Sequence, residues 1–158
     1  MSEHRASLKW SRNGPDFLRG KYSREHTWIF DCGITVPASP SPQVVPTPWS
    51  NPAHVDPEEA FIAAVSSCHM LTFLWLASRA GFIADIYDDN ATGTLTKNER
   101  GIPWLSSITL RPQITWSGEK HPSATDLEHL HHEAHEQCYI ANSIKTDVRV
   151  EGVDKYAH

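Results

Sequence analysis

Residues 60–78 form a mostly apolar stretch of 19 residues without a charged side chain. Asp56 is suited to cap a helix and Pro57 to its first position, whereas Arg79 and Gly81 mark its end. The stretch is nearly long enough to cross a bilayer, but its central Ser-Ser-Cys-His would be costly in lipid. We therefore predict no membrane span but a central helix, covered by a sheet, by other helices or by a second chain at a dimer interface.

A second helix is predicted over residues 125–142. Thr125 and Glu128 match the spacing of a capping box. Apolar residues recur at helical spacing on one face of this segment: Leu127, Leu130, Ala134, Cys138 and Ala141. The pattern therefore points Cys138 inward, near the end of the helix.

The other segments alternate apolar and polar residues in the manner of strands. They are ASLKWS, HTWIFDCGITV, IYDDNATGTLT, SSITLRPQITW and SIKTDVRVEG. In the last of them Val148 and Val150 share one face and Asp147 and Arg149 the other, which is typical of half-solvated antiparallel strands. Six prolines between residues 37 and 52 predict an irregular loop that covers a site or contacts a partner. The pattern as a whole predicts an α+β fold.

Length, charge and cysteine usage limit the possible functions. The 158 residues fit a single domain, 1–158, and a net charge of −5 without a basic stripe argues against a nucleic-acid partner. The first ten residues lack the features of a signal peptide, so we expect a cytoplasmic protein in a reducing compartment. Cys32, Cys68 and Cys138 are then thiols, and their spacing suggests neither a zinc site nor a disulfide framework.

Three motifs stand out in the sequence: DPEEAFIAAVSSC, AHEQCYIANSI and YSREHTWIFDCG. Together they resemble the OsmC/Ohr family of thiol peroxidases. The first is similar to the family's helix start, with Glu58 ten residues before the first cysteine, Cys68. AHEQCYIANSI resembles the region of the second, resolving cysteine, here Cys138. YSREHTWIFDCG places Arg24 before a strand at about the distance of the family's catalytic arginine, although Arg19 competes for that role.

The resemblance implies an OsmC-like fold: two long central helices and antiparallel sheets in an intertwined homodimer. It also implies a cysteine-dependent peroxidase that reduces organic hydroperoxides without a cofactor. Cys68 would attack the peroxide, Cys138 would resolve the sulfenic acid as a disulfide, and an external dithiol of the dihydrolipoyl type would reduce it. The chemistry agrees, because a cysteine in apolar surroundings needs a cation to become thiolate, and Arg24 held by Glu58 would supply one.

Helical geometry constrains this predicted site. Ten residues separate Glu58 from Cys68, about 15 Å along a straight helix and about 80° around it. If these two residues and Arg24 share a site, either the helix breaks between them or the partner subunit supplies the glutamate and the arginine. We favour a site that spans the homodimer.

Other interpretations of the same residues stay open. Cysteines on inward faces can be plain packing, and Cys32 before a turn is most simply an inert strand residue. Glu128, His131 and His135 have the spacing of metal ligands, so a metal-binding protein that uses the His-rich helix 128–135 is one alternative. A dimer that binds a hydrophobic ligand without catalysis is another, and Trp75 or Trp28 would then form an apolar pocket wall.

Overall fold

Residues 1–60 form the first of two compact units in the computed structural model, which describes residues 1–151. Its sheet consists of β1 (Ala6–Lys9), β2 (His26–Phe30) and β3 (Thr35–Ala38), antiparallel and in that order. The segment HTWIFDCGITV is therefore a hairpin rather than one strand. Pro37 lies in the edge strand β3, where a missing N–H is tolerated, and the other five prolines of the predicted loop lie outside helices and strands.

Helix α1 (Pro57–Arg79) confirms the predicted boundaries. The Asp56 carboxylate accepts a hydrogen bond from the Glu59 N–H at 2.7 Å, and the Glu59 side chain accepts one from the Asp56 N–H at 3.2 Å. These reciprocal bonds satisfy two backbone donors at the start of the helix. At its end Gly81 adopts a φ of +82°, which costs little for glycine alone. The helix is unbroken between these points.

The buried face of α1 consists of Val65, His69, Phe73 and Ala77, spaced by four residues. The opposite face is a solvent-facing stripe of small and apolar residues, hereafter the α1 stripe: Ala64, Ser67, Leu71, Trp75 and Ser78. Leu71 is 62% and Trp75 53% exposed. The helix has the length and composition of a membrane span, properties that core helices of soluble proteins share. The predicted cover on all sides is thus absent within residues 1–151.

The second unit, which begins at Phe61, contains two sheets. One pairs β4 (Ile83–Asp89) with β7 (Pro112–Ser117), and the other contains β5 (Thr92–Lys97), β6 (Pro103–Leu110) and β8 (Asp147–Val150). The antiparallel prediction holds for β4–β7 and β5–β6 but is wrong for β6–β8, which is parallel. Strand β8 reaches β6 through a crossover that includes a helix, and such connections bring strands together in the same direction.

Helix α2 (Ala124–Gln137) starts one residue before the predicted cap and ends earlier than predicted. Ser123, not Thr125, caps it: the Ser123 hydroxyl accepts from the Asp126 N–H at 3.2 Å, and the Asp126 carboxylate accepts from the Ser123 N–H at 2.8 Å. Thr125 has the glutamate that the capping pattern requires three residues later, whereas Ser123 is followed there by Asp126, whose carboxylate closes the box. Cys138 is the C-cap, and a 3-10 turn follows at Ala141–Ser143.

Two apolar clusters hold α1 within the second unit. Its first half contributes Val65 to a cluster with β6 and β8. Its second half contributes Phe73 and Ala77 to a cluster with α2. The remaining members are Ile108, Leu110, Val148 and Val150 in the first cluster and Phe82, Leu130 and Ala134 in the second. As predicted, Val148 and Val150 face inward whereas Asp147 and Arg149 are exposed. Residue 152, the last of the segment SIKTDVRVEG, lies outside the described residues.

Candidate active site

Two of the three cysteines meet where α1 passes the end of α2. Cys68 lies in the middle of α1, and Cys138 is the residue at which α2 stops. Cys68 lies close enough to Cys138 to affect the pKa of the Cys138 thiol, and both are free thiols. Cys138 is completely buried, whereas Cys68 is partly exposed. The accessible thiol is therefore backed by a buried one.

The pKa of the Cys138 thiol is raised to about 11. Burial is the main cause, and the interaction with the Cys68 thiol adds to it. The Ala141 N–H opposes the shift by donating to the Cys138 sulfur at 3.4 Å. At neutral pH Cys138 is consequently a protonated thiol, which is a poor first nucleophile.

An open groove of about 760 Å³ lies beside the ends of both cysteine-bearing segments. Leu71, Thr72 and Trp75 of α1 form one side, and Glu136, Gln137, Tyr139 and Asn142 form the other. Thr72 also donates a hydrogen bond to the Cys68 carbonyl at 3.0 Å, so this wall is attached to the helix turn that carries Cys68. Trp75, one of the two predicted pocket residues, lies in this groove. Trp28 instead lies in β2, where it donates to His26.

Arg24 belongs to the first unit, and its guanidinium is held by that unit. Its Nη1 donates to the carbonyls of Gly20 and Tyr22 at 3.2 and 3.1 Å, and the guanidinium lies 4.1 Å above the Tyr22 ring. Among residues 1–151 Arg24 has no carboxylate partner. Its competitor Arg19 has a side chain 78% exposed and lies 3.4 Å from Asp16. The half-buried Arg24 is therefore the better placed of the two to offer a desolvated cation.

Glu58 lies in the first turn of α1, and one of its carboxylate oxygens, Oε2, is buried without a hydrogen-bond partner among the described residues. No hydrogen bond or ion pair joins it to Arg24 within residues 1–151. Because α1 is continuous from Pro57 to Arg79, Glu58 and Cys68 stay about 15 Å apart along one helix. A broken helix, one of the two predicted alternatives, is thereby excluded. The second predicted alternative is that a partner subunit supplies the glutamate and the arginine.

A buried histidine pair joins the same two helices, and the sequence pattern did not reveal it. His69 Nε2 lies 3.0 Å from His131 Nδ1, the rings are nearly parallel, and Phe73 packs against the His131 ring at 4.3 Å. Burial lowers the pKa of His69 to about 3, with the charges of His131 and His135 contributing, and lowers that of His131 to about 4. Both rings are neutral at pH 7, so one donates and the other accepts.

The same pair bears on the metal alternative. His131 faces His69 in the core, and among residues 1–151 no three histidine, cysteine or acidic side chains converge as metal ligands would. The spacing of Glu128, His131 and His135 thus produces no assembled site in this part of the chain. Cys32 is exposed in the turn between β2 and β3, so its predicted place in a strand is wrong.

Comparison with solved structures reveals a relative of similar sequence. An OsmC-like protein of unknown function from Vibrio cholerae is 50% identical, with 96% of this chain and 99% of that chain covered and a TM-score of 0.92. Two further structures share the fold at low identity. An organic hydroperoxide resistance protein OsmC from Legionella pneumophila is 16% identical (95% and 97% covered, TM-score 0.69). OhrB, an organic hydroperoxide resistance protein of Bacillus subtilis, is 19% identical (93% and 96% covered, TM-score 0.61).

A search of functionally curated proteins finds no match to this chain. The sequence profile of the family described as OsmC-like protein matches residues 50–152, which include α1, both cysteines and the second-unit sheets. This match covers more than half of the chain, and it contains two of the three motifs, DPEEAFIAAVSSC and AHEQCYIANSI. The chain belongs to the OsmC/Ohr family.

Proposed function

We propose that this protein is a cysteine-dependent peroxidase that reduces organic hydroperoxides. The contact between the Cys68 and Cys138 thiols is the observation that supports this most strongly. Two neighbouring thiols of unequal exposure, where two helices meet, provide an attacking and a resolving sulfur. Family membership and the solved hydroperoxide resistance proteins of the same fold support the same activity.

The proposed reaction has two steps at sulfur. The Cys68 thiolate attacks the peroxide; a sulfur–oxygen bond forms, the oxygen–oxygen bond breaks, and the alkoxide leaves as an alcohol after taking a proton. Cys68 is then a sulfenic acid. The Cys138 sulfur attacks it, and the hydroxyl group leaves as water with the Cys138 proton. An external dithiol, of the dihydrolipoyl type that family resemblance suggests, reduces the disulfide and restores both thiols.

The apolar groove supports an organic rather than an inorganic peroxide. Leu71 and Trp75 offer an apolar surface within reach of the helix turn that carries Cys68. Burial of an apolar substituent there contributes about 25 cal/mol per Å², which hydrogen peroxide cannot gain. The groove also fits the alternative of a non-catalytic protein that binds a hydrophobic ligand, and the experiment below separates the two.

We further propose a homodimer in which Arg24 and Glu58 of one subunit complete the site of the other. The α1 stripe is an apolar helix face without cover in the described chain. A second copy packed along it would supply that cover and would close the groove over Leu71 and Trp75, which would then line a pocket shared by the two subunits. Arg24 has no carboxylate among residues 1–151, and Glu58 has a buried oxygen without a partner. Their pairing near Cys68 would stabilise its thiolate and the departing alkoxide.

The direct test is a thiol count with a non-reducing peptide map before and after one equivalent of cumene hydroperoxide. Two thiols should disappear, and the peptides containing Cys68 and Cys138 should become linked, while Cys32 stays free as an internal control. Cys68→Ser should abolish peroxide consumption. Cys138→Ser should still consume one equivalent and leave a sulfenic acid that dimedone traps.

Survival of all three thiols would contradict the peroxidase proposal. The cysteines would then be packing residues, and the groove would be tested as a hydrophobic-ligand site by tryptophan fluorescence. Linkage through Cys32 instead of Cys138 would reject the assigned resolving residue while keeping the peroxidase activity.

A further inference from the structure

We propose that Asn142 is a positioning residue that fixes the resolving cysteine against Cys68. The proposal rests on the peroxidase function above and deepens it, since it assigns the group that keeps the second sulfur in place. Asn142 lies four residues after Cys138, in the 3-10 turn Ala141–Ser143, and lines the groove beside the two cysteines.

The Asn142 side chain closes the end of α2. Its Nδ2 donates to the Glu136 carbonyl at 2.8 Å and to the Cys138 carbonyl at 3.0 Å. Its backbone N–H donates to the same Cys138 carbonyl at 3.0 Å. One residue thus makes three hydrogen bonds to the last carbonyls of the helix, which have no partners within the helix.

The helix needs such a residue because the usual terminator is missing. Many helices end with a residue, usually glycine, in the left-handed conformation just after the last turn. Here Cys138 itself is the C-cap, with extended angles of φ −71° and ψ 115°, and Tyr139 follows. No glycine lies between residues 119 and 151, so the Asn142 amide takes over the role of satisfying the terminal carbonyls.

The same turn also sets the environment of the reacting sulfur. The Ala141 N–H, adjacent to Asn142, donates to the Cys138 sulfur at 3.4 Å. Loss of the Asn142 bonds would release the turn that carries this N–H. The Cys138 sulfur would then sample orientations away from Cys68. The sulfenic acid on Cys68 would therefore persist longer before the disulfide forms.

The first experiment uses diamide, an oxidant that joins two neighbouring thiols and is itself reduced to the hydrazine. Formation of the Cys68–Cys138 disulfide is followed by peptide mapping after acid quenching. Asn142→Ala and Asn142→Asp, which keeps the shape but removes the donor, should both slow formation about fivefold, the effect of losing roughly one net hydrogen bond. Asn98→Ala is the matched control, because Asn98 also bonds two backbone groups of a turn, the N–H groups of Arg100 and Ile102.

The second experiment measures a branching ratio with cumene hydroperoxide in excess. The Cys68 sulfenic acid either forms the disulfide or reacts again to the sulfinic acid, and mass spectrometry reads both products. The Asn142 variants should raise the ratio of sulfinic acid to disulfide about fivefold. This ratio is read on sulfenic acid that has already formed, so it does not depend on how fast the peroxide is bound and consumed. An unchanged ratio in both variants would contradict the positioning role.

The outcomes separate the two proposals. Slow disulfide formation in both Asn142 variants and a normal rate in Asn98→Ala support the positioning role. Any of three results would overturn this role. These are a wild-type rate in the Asn142 variants, an equal slowing in Asn98→Ala, and the absence of a diamide-driven disulfide in the wild type. If cumene hydroperoxide leaves the wild type unchanged but diamide gives the expected pattern, the peroxidase function fails and the positioning role stands. Should Asn142→Ala not fold, Asn142→Asp carries the same comparison.

Discussion

The buried histidine pair predicts that the protein loses stability when the pH falls from 7 to 5. His69 and His131 are 1% and 5% exposed, and burial lowers their pKa values from 6.5 to about 3 and about 4. The unfolded chain therefore takes up protons below pH 6.5, whereas the folded chain resists until about pH 4. Between these values the unfolded state binds more protons, so the free energy of unfolding falls as the pH falls.

The size of the effect follows from the two pKa values. Each pH unit below 6.5 costs about 1.4 kcal/mol per histidine, so each loses about 2 kcal/mol at pH 5.0. The two together lose about 4 kcal/mol, a large part of the 5–15 kcal/mol typical of a domain. Asp89, which raises the pKa of His131, and His135, which lowers that of His69, are the charged groups that modulate this value. The loss should end below about pH 3, where both folded histidines are protonated.

Urea unfolding followed by tryptophan fluorescence at pH 7.5, 6.5, 5.5 and 5.0 measures this slope. The double variant His69→Leu/His131→Leu removes both partners and should abolish the slope, with little loss of stability at pH 7.5. His131→Leu alone should cost about 1–3 kcal/mol at pH 7.5, since it leaves a buried ring nitrogen without its partner. His129→Leu, at an exposed position of α2, is the control and should keep the wild-type slope. A wild-type free energy that is constant from pH 7.5 to 5.0 would refute the reasoning.

Three further predictions concern the helix, the dimer and the arginine. Ser66→Ala should lower the free energy of unfolding by about 1–2 kcal/mol in urea titrations, because the Ser66 hydroxyl donates to the Asp89 carboxylate at 2.5 Å; an unchanged midpoint would contradict this. Ala64→Glu on the α1 stripe, outside the groove, should give a monomer by analytical ultracentrifugation and abolish peroxidase activity, whereas a monomer with full activity would exclude the interchain site. Arg24→Ala should slow cumene hydroperoxide reduction about 100-fold in stopped-flow assays, and equal slowing in Arg19→Ala would show that the assignment is wrong.

Local signals predicted the first helix well. Asp56 and Pro57 fixed its start and Gly81 its end, because capping depends on residues within one turn. The start of the second helix was predicted at Thr125 because Glu128 completes the usual capping pattern. The observed cap, Ser123, uses Asp126 instead, which that pattern does not include.

Long-range features were the ones that sequence reasoning missed. The parallel pairing of β8 with β6 depends on how the chain returns after α2, which alternation within a strand does not encode. The contact of His69 with His131 joins positions 62 residues apart. One signal was available: His131 lies four residues after Leu127 and three before Ala134, on the face already predicted to be buried. The role of Asn142 had no such signal, because it depends on where α2 stops.

The contact between the two thiols also has a consequence for the chain as a polymer. A disulfide between Cys68 and Cys138 would close a covalent ring of about 70 residues, containing β4 to β7 and α2. In the chain-entropy view, such a ring disfavours the unfolded state by about 4 kcal/mol at 25 °C. The oxidised form would then melt at a higher temperature than the reduced form. During each catalytic cycle the protein would therefore alternate between a more stable and a less stable state. A thermal shift on oxidation would then report the redox state of the protein without any chemical label.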